Sequence, residues 1–277
     1  MDQNIKLSIV ILNYKTKHLL RLALKNLYAL QIPFPFEIIV VDNASGDGSV
    51  AMVTKLFPQT RLIINNHNTG HAHGNNVGIR AATGQYVLIM NTDIIFLNTA
   101  DITAMLDYFD QHPEVGLIGP RLCNGDGTIQ YSCFRPYSTM TPIYRRTPLG
   151  QLAQGRRDLD RHLMMDFDHN QLREVDWILG ACIILPRAVL NHVGLFNEQF
   201  FLYFADFELC DRLRYHGYKV VYYPDVTIVH YHRRESAQGS VWGGLGSLLN
   251  YVTRVHLKDW TTYKKIIQQG YDTRSNS

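Results

Sequence analysis

The stretch "LSIVILNYKTKH" (Leu7–His18) decides which fold this chain can adopt. Leu7 to Leu12 is an almost unbroken apolar run, as expected of a short strand covered by helices on both faces. The residues after that run narrow the choice. A dinucleotide-binding sheet needs G-x-G-x-x-G directly after its first strand, so that pyrophosphate can approach bare backbone. This chain has Asn13-Tyr14-Lys15-Thr16-Lys17-His18 there, which disfavours a dehydrogenase. A nucleotidyltransferase would want a glycine-rich loop with Arg or Lys at the same place, and a P-loop would want Gly-Lys-Ser/Thr; neither occurs.

Outward from that strand the pattern alternates. Leucines at helical spacing in "HLLRLALKNLYAL" end before Pro33 and Pro35, and "EIIVVD" (Glu37–Asp42) is a second buried strand. Ser45 to Ser49 form a turn and cap, Val50 to Phe57 a helix stopped by Pro58, and "RLIIN" (Arg61–Asn65) strand three. "GNNVGIRAA" (Gly74–Ala82) reads as a helix, "QYVLIM" (Gln85–Met90) as strand four, Ile102 to Gln111 as a helix and "VGLIG" (Val115–Gly119) as a strand. Such alternation predicts an α/β fold with a mostly parallel sheet and right-handed crossovers. Residues 121–172, rich in Arg, Pro, Gly, Asp and His, predict an irregular segment. "WILGACIILP" then predicts a strand followed by a helix from Pro186, "DFELCDRLRYHG" a helix closed by Gly217, and "KVVYY" and "TIVH" two short strands. After a glycine-rich start (Gly239–Gly246), Leu245, Leu248, Leu249, Val252 and Val255 recur at helical spacing. The chain therefore divides into a main domain, 1–235, with an alternating half, 1–120, and a second half, 121–235, and a C-terminal helical extension, 236–277.

Composition bounds the function. With 277 residues, 46% hydrophobic and net charge +3, the chain can bury a large core and carries no basic stripe, so nucleic acid is not an expected partner. The cysteines Cys123, Cys133, Cys182 and Cys210 lack CxxC spacing and read as reduced thiols. The N-terminus does not read as a signal peptide, and no apolar stretch reaches the roughly 20 residues a membrane span needs. The expected location is the cytoplasm, with at most peripheral contact at the inner face of the cytoplasmic membrane. Arg254, Lys258, Lys264 and Lys265 beside the C-terminal apolar stripe suggest such a contact, while the stripe itself also suits core packing or a homodimer.

In an open parallel sheet, ligands bind beyond the carboxyl ends of the strands. Here strand one ends in Asn13-Tyr14, strand two in Asp42-Asn43-Ala44-Ser45 and strand four in Asn91-Thr92-Asp93. Tyr14 can stack on a nucleobase and Asp42 can accept the imide N–H of uracil or thymine. Asp93 offers hard oxygen to Mg²⁺ or Mn²⁺. Gly70, Gly74 and Gly78 allow close backbone approach, either to a diphosphate at a helix start or to the sheet in plain packing. Asp206 opens a helix after the apolar "FFLYF", a costly setting for a carboxylate, and is the candidate general base. Glu208 and Arg212, four apart, read as a supporting pair. His230 and, less so, His232 in "VHYHRRES" are candidates for metal or diphosphate contact. A hydrolase would want two carboxylates flanking the bond, and no such pair stands out.

These motifs, in this order, resemble glycosyltransferase family 2, and specifically its rhamnosyltransferase-like bacterial members. The resemblance runs through "SIVILNYKT", "VVDNASGDGS", "NNHNTGHAHGNNVGI", "LIMNTDI", "WILGACIILPR" and "GLFNEQFFLYFADFELCDRL", over most of residues 5 to 235. It implies a GT-A, Rossmann-like nucleotide-diphospho-sugar transferase fold and a nucleotide-diphosphate sugar donor, with inversion at the anomeric carbon. The favoured donor is dTDP-L-rhamnose, then another UDP- or dTDP-hexose. The implied acceptor is a glycan or lipid-linked glycan of the bacterial cell envelope, such as lipopolysaccharide or another surface polysaccharide. By position, Asn13, Tyr14, Asp42, Asn43, Gly70, Asn76, Asn91, Thr92 and Asp93 fall on the donor side. Trp177, Gly180 and Tyr203 fall on the acceptor side, Asp206 matches the second acid of the Glu-Asp base motif, and Asp93 with His230 is the implied metal set. Two departures stand out. Asn91 replaces the first acid of Asp-x-Asp, and Ala205 stands where the base motif has Glu. Both leave room for a sugar-nucleotide-binding protein with little turnover.

Overall fold

The computed structural model describes residues 4–145, 147–231 and 251–271. His232, the glycine-rich stretch Gly239–Gly246, Leu245, Leu248, Leu249 and the side chain of Val252 lie outside the described residues.

The first half alternates as β1 (Leu7–Asn13), α1 (Lys17–Ala29), β2 (Phe36–Asp42), α2 (Ser49–Leu56), β3 (Arg61–Ile64), α3 (His71–Ala81), β4 (Tyr86–Met90), β5 (Ile94–Phe96), α4 (Ala100–Gln111) and β6 (Val115–Cys123). Next come β7 (Ile129–Gln130), β8 (Cys133–Phe134), α5 (Thr141–Tyr144), a 3₁₀ turn (Pro148–Gln151) and α6 (Ala153–His162). The chain then runs through β9 (Arg173–Glu174), β10 (Trp177–Ile178), β11 (Cys182–Pro186), α7 (Arg187–Val193), α8 (Ala205–Tyr215), β12 (Lys219–His230) and α9 (Tyr251–Gln269).

One large sheet has the order β3-β2-β1-β4-β11-β6-β12-β5. Its nucleotide-side strands β3, β2, β1 and β4 are parallel throughout. β11 then enters antiparallel between β4 and β6, so a late segment is stitched into the middle of the sheet. β6 and β12 run parallel, and β5 closes the edge antiparallel to β12. Side-chain alternation sends Leu7, Ile9 and Ile11 to one face, against α1, α2 and α4, and Val10, Ile39 and Val41 to the other, among residues of α3, α7 and α8. On α1, Leu20, Ala23, Leu24 and Leu27 form the buried stripe that helical spacing predicts. Gly74 and Gly78 let α3 lie close on the sheet. An added Cβ at Gly74 would come within 2.5 Å of Leu12 Cδ1, and one at Gly78 would strike Val10 Cγ1. Of the two roles open to these glycines, helix–sheet packing is the one observed.

Three local expectations differ from the structure. The "WILGACIILP" strand is two strands: β10 pairs with β8 in its own small sheet, and the chain turns at Gly180 into β11. "KVVYY" and "TIVH" are one strand, β12, kinked by a register shift between Tyr223 and Thr227. Residues 121–172, expected to be irregular, contain β7, β8, α5 and α6. α6 buries only Gly155 and His162, so it has no apolar stripe for periodicity to show.

Candidate active site

At the carboxyl ends of β1 and β2, fully buried Asn13 and nearly buried Asp42 lock together: Asn13 Nδ2 donates to Asp42 Oδ1 at 2.7 Å and to Ser45 Oγ at 2.9 Å. Ser45 N donates to Asp42 Oδ2 at 3.0 Å, and Thr16 bridges Asn13 to Thr92 through hydroxyl contacts of 2.8 and 2.9 Å. The ends of strands one, two and four are therefore one hydrogen-bonded rim. Asp47 caps it from outside, accepting the Lys17 and Ser49 N–H groups at 3.0 and 2.9 Å. Tyr14 stands on the rim 41% exposed, with Lys15 Nζ 5.2 Å from its ring centre. Its face is available for stacking.

Asn43 shapes the neighbouring loop rather than facing outward. Its Oδ1 accepts from Asn65, Thr69 N and Thr69 Oγ1, and its Nδ2 donates to Asn68 and Gly70 O. Gly70 sits at φ +83°, and an added Cβ there would strike Phe201 O. That close approach lets His71 N donate to Phe201 O at 2.6 Å. Asn76 also ties elements together: its amide donates to Phe196 O and Glu198 Oε1, both at 2.8 Å, and accepts from Phe196 N at 3.1 Å. Asn43, Gly70 and Asn76 thus act on the site through the backbone they hold.

Asp93 and His230, far apart in the chain, meet because β5 pairs with β12 in a register that sets His230 opposite Ile94. His230 Nε2 lies 3.4 Å from Asp93 Oδ1, an atom that is buried and without a hydrogen-bond donor. His230 Nδ1 lies 2.7 Å from Gln130 Oε1, whose own amide donates to His230 O and Asn124 Oδ1. With the Gln130 carbonyl as acceptor at Nδ1, Nε2 is the ring nitrogen that faces Asp93. Two lone-pair donors side by side, one an orphaned carboxylate oxygen, fit a hard divalent cation. Among the described residues no third His, Cys, Asp or Glu joins them, so the rest of a shell would come from a bound diphosphate.

Asp206 lies in the first turn of α8, after Phe204 at φ +66°. Gly180 N donates to its Oδ2 at 2.9 Å and Phe207 N to its Oδ1 at 2.9 Å, which fixes the carboxylate's direction. Gly180 is also a tight fit, since a Cβ there would lie 3.2 Å from Asp206 Cβ. One residue on, Ala181 O accepts from Asn91 N at 2.9 Å. The segment Gly180–Ala181 therefore joins the Asp206 helix directly to the Asn91–Asp93 strand end. His71 faces Asp206 from α3; burial holds its imidazole below the ordinary value against the opposing pull of the Asp206 charge. Among the described residues, three of the four non-glycine residues with positive φ (Lys15, Ala44 and Phe204) stand next to this site, the usual place for such strain.

Behind Asp206 the structure is apolar. Trp177 is buried, stacks on Phe134 with centroids 4.3 Å apart, and donates Nε1 to Arg135 O at 3.1 Å. Ala205 is buried in the same core, which accounts for a methyl where the family's base motif has Glu. Glu208 and Arg212 form the expected pair, with bonds of 2.9 and 3.1 Å, and Arg212 also binds the Val193 and Leu195 carbonyls. Tyr203 belongs to the loop Phe201–Tyr203, whose N–H groups donate to the fully buried Asp259 of α9 at 3.4, 3.1 and 2.9 Å. Burial raises the Asp259 carboxyl above its ordinary value, against those donors. Glu198 is pulled the other way: burial would raise it, but hydrogen bonds from Asn76, Arg80 and His73 bring it down to about 2.

Sequence reasoning missed Gln130, His71, Glu198 and Asp259. Only His71 carried a signal, standing one residue beyond the strained Gly70; the others act across long sequence separations. On α9, Val255, Tyr263 and Ile266 are buried, while Ile267 is exposed. All four cysteines are free and buried. No helix among the described residues is long and apolar enough to cross a membrane.

Comparison with known proteins bears on the fold and the family. A curated relative, the N-acetylglucosaminyl-diphospho-decaprenol L-rhamnosyltransferase of Mycobacterium tuberculosis (strain ATCC 25618 / H37Rv), is 25% identical over 217 residues, 71% of this chain and 67% of its own length. The low-salt glycan biosynthesis hexosyltransferase Agl10 of Haloferax volcanii is 30% identical over 212 residues. That match takes in 75% of this chain and 61% of Agl10. The mannosyltransferase PcManGT from Pyrobaculum calidifontis, solved with GDP-Man and Mn²⁺, superposes with TM-score 0.55 at 19% identity over 84% of this chain and 59% of its own. The likeness shows the GT-A fold. The chain thus spans about three fifths to two thirds of the length of these relatives. The model for "Glycosyl transferase family 2" matches residues 8–178, more than half of the chain, and the chain belongs to that glycosyltransferase family.

Proposed function

We propose that the chain is an inverting, metal-dependent transferase. It would move a sugar, with L-rhamnose from dTDP-L-rhamnose as the first candidate, to a growing bacterial surface glycan carried on a lipid. The observation that supports this reading is the join through Gly180–Ala181, whose hydrogen bonds tie the Asp206 helix to the Asn91–Asp93 strand end.

Tyr14 would stack on the base, and Asp42, already engaged by Asn13 and Ser45, would use its remaining acceptor capacity for the imide N–H. Asp93 and His230 would hold Mg²⁺ or Mn²⁺. When bound, such an ion supplies positive charge to the leaving nucleoside diphosphate. Asp206, held by the Gly180 and Phe207 N–H groups, would take the proton from the acceptor hydroxyl. The hydroxyl oxygen bonds to the anomeric carbon from the face opposite the diphosphate, whose C–O bond breaks with its electron pair. One displacement inverts the centre. Because His71 is kept neutral by burial, it adds no fixed positive charge beside the base. The lipid-linked acceptor is favoured by the name of the mycobacterial relative, which acts on a diphospho-decaprenol sugar.

The test is release of nucleoside diphosphate from a panel of nucleotide sugars, with Mn²⁺, Mg²⁺ or EDTA. Turnover of a deoxy-hexose donor that EDTA stops is the expected result. Equal turnover in EDTA removes the metal, and tight nucleotide binding with no turnover in any acceptor-containing extract removes the transferase reading.

A further inference from the structure

The α5–3₁₀–α6 insert has no role in the chemistry above, yet its surface is unusual. Thr141 to His162 contains five arginines against two acids, Asp158, which accepts from Thr141 Oγ1, and the exposed Asp160. Within it Ile143, Leu149 and Leu152 are 36%, 46% and 59% exposed, and Arg145, Arg156 and Arg157 are exposed around them. These residues share one compact knot: Thr147 Oγ1 donates to Ile143 O at 2.9 Å, Leu152 N to Leu149 O at 3.1 Å, and Arg156 N to Leu152 O at 2.8 Å. A cavity of about 380 Å³, lined by Tyr144, Arg145, Gln151, Leu159 and Leu163 among others, opens within it.

The knot is anchored on the acceptor side. Arg145 donates to Tyr137 Oη at 3.2 Å and Arg161 to Pro136 O at 2.8 Å. The Tyr137 ring lies 4.9 Å from Phe204, two residues before Asp206, and 4.4 Å from buried His162 of α6. The insert and the catalytic helix thus share one aromatic base.

Exposed leucines set among an excess of arginines match a partner that is both anionic and apolar. Nucleic acid would leave the leucines in water. An anionic lipid surface takes both, with side chains entering the headgroup layer and guanidiniums meeting phosphates. Among the described residues of α9, Val255, Tyr263 and Ile266 are buried and offer no such surface. We infer that the α5–3₁₀–α6 insert is the face with which this protein sits on an anionic membrane, holding the Asp206 side of the site toward a lipid-borne acceptor. The inference rests on the proposed function for its purpose but not for its test.

The test is flotation of the full chain with phosphatidylcholine vesicles, with and without phosphatidylglycerol, at low salt and at about 0.5 M salt, where surface charge is screened. The protein should float only with anionic vesicles and be largely released by salt. Reversing charge in R156E/R157E should weaken partitioning at least tenfold, given about fivefold per basic residue at such a surface. L149D/L152D should do the same while leaving the melting temperature, and the shift produced by dTDP with Mn²⁺, unchanged. Failure of the unaltered chain to float, or flotation of both variants like the parent, overturns the inference. So does a variant that dissociates a dimer while floating normally, which would make this face a contact between copies. Absence of any dTDP–Mn²⁺ shift in the parent chain would instead break the donor-site reading.

Discussion

On the donor side, Asn13, Thr16, Asp42, Ser45 and Thr92 hold one another at the ends of adjacent parallel strands, and each hydrogen bond joins neighbouring elements. On the proposed acceptor side, Asp206 depends on Gly180 from the turn between β10 and β11, and its preceding loop depends on α3 through Gly70 and His71 and on α9 through Asp259. The donor rim is a product of local sheet geometry. The acceptor rim is an assembly of parts, each of which can be loosened alone. Damage on the first side should therefore lower nucleotide binding, whereas damage on the second should lower transfer with binding intact.

The largest effect expected is at the base. Asp206→Asn keeps the shape and one of the two N–H bonds but removes the proton acceptor, so transfer should fall by roughly 10³-fold or more. Thermal stabilisation by dTDP with Mn²⁺ should stay as in the parent; a loss of that shift would place Asp206 on the donor side and break the comparison. Asp93→Ala should abolish the Mn²⁺-dependent part of nucleotide binding, read by calorimetry with and without EDTA. Gln130→Leu, which removes the acceptor that orients His230, should weaken apparent metal affinity by about ten- to a hundredfold. If Gln130→Leu leaves metal affinity unchanged, His230 has no part in the cation site.

Asp259→Ala sharpens the other arm. It strips the Phe201, Leu202 and Tyr203 N–H groups of their buried acceptor and should cost about 1–3 kcal/mol of stability. Transfer should drop with nucleotide affinity retained, and a matching loss of nucleotide affinity would show that the two sides are not independent. The smallest effect is at Glu198. Its folded value of about 2 lies below the ordinary 4.5, so its contribution is full above 4.5 and fades as pH falls toward about 2. Chemical denaturation of Glu198→Gln should therefore show lost stability near neutral pH and none relative to the parent near pH 2.

The donor rim was legible because its residues stand where apolar runs stop. Asn13, Asp42 and Asp93 each interrupt a strand pattern, and the alternation of strands with helices puts those ends at one edge. Asp206 was visible for a similar reason, a carboxylate following "FFLYF". Asn43, Gly70 and Asn76 were found by position, yet their action through backbone contacts depends on partners as distant as Phe196 and Phe201. Gln130 and Asp259 left no local trace, since a polar residue in a short strand or a helix looks like solvent-facing surface until its partner is known. α6 was missed because a helix that buries a glycine and a histidine has no periodic apolar face. The break at Gly180 was hidden inside a run that is apolar on both sides of it.

Asp259 lies more than fifty residues beyond Asp206 in the chain. During synthesis the donor rim can close on its own strands while the loop before Asp206 still lacks its acceptor. On the proposed reading, a ribosome-bound chain at that stage would have its donor rim in place while the loop leading to the proposed base was still unanchored. Maturation of activity should thus lag maturation of ligand capture, an order of events set by where one buried carboxylate was placed.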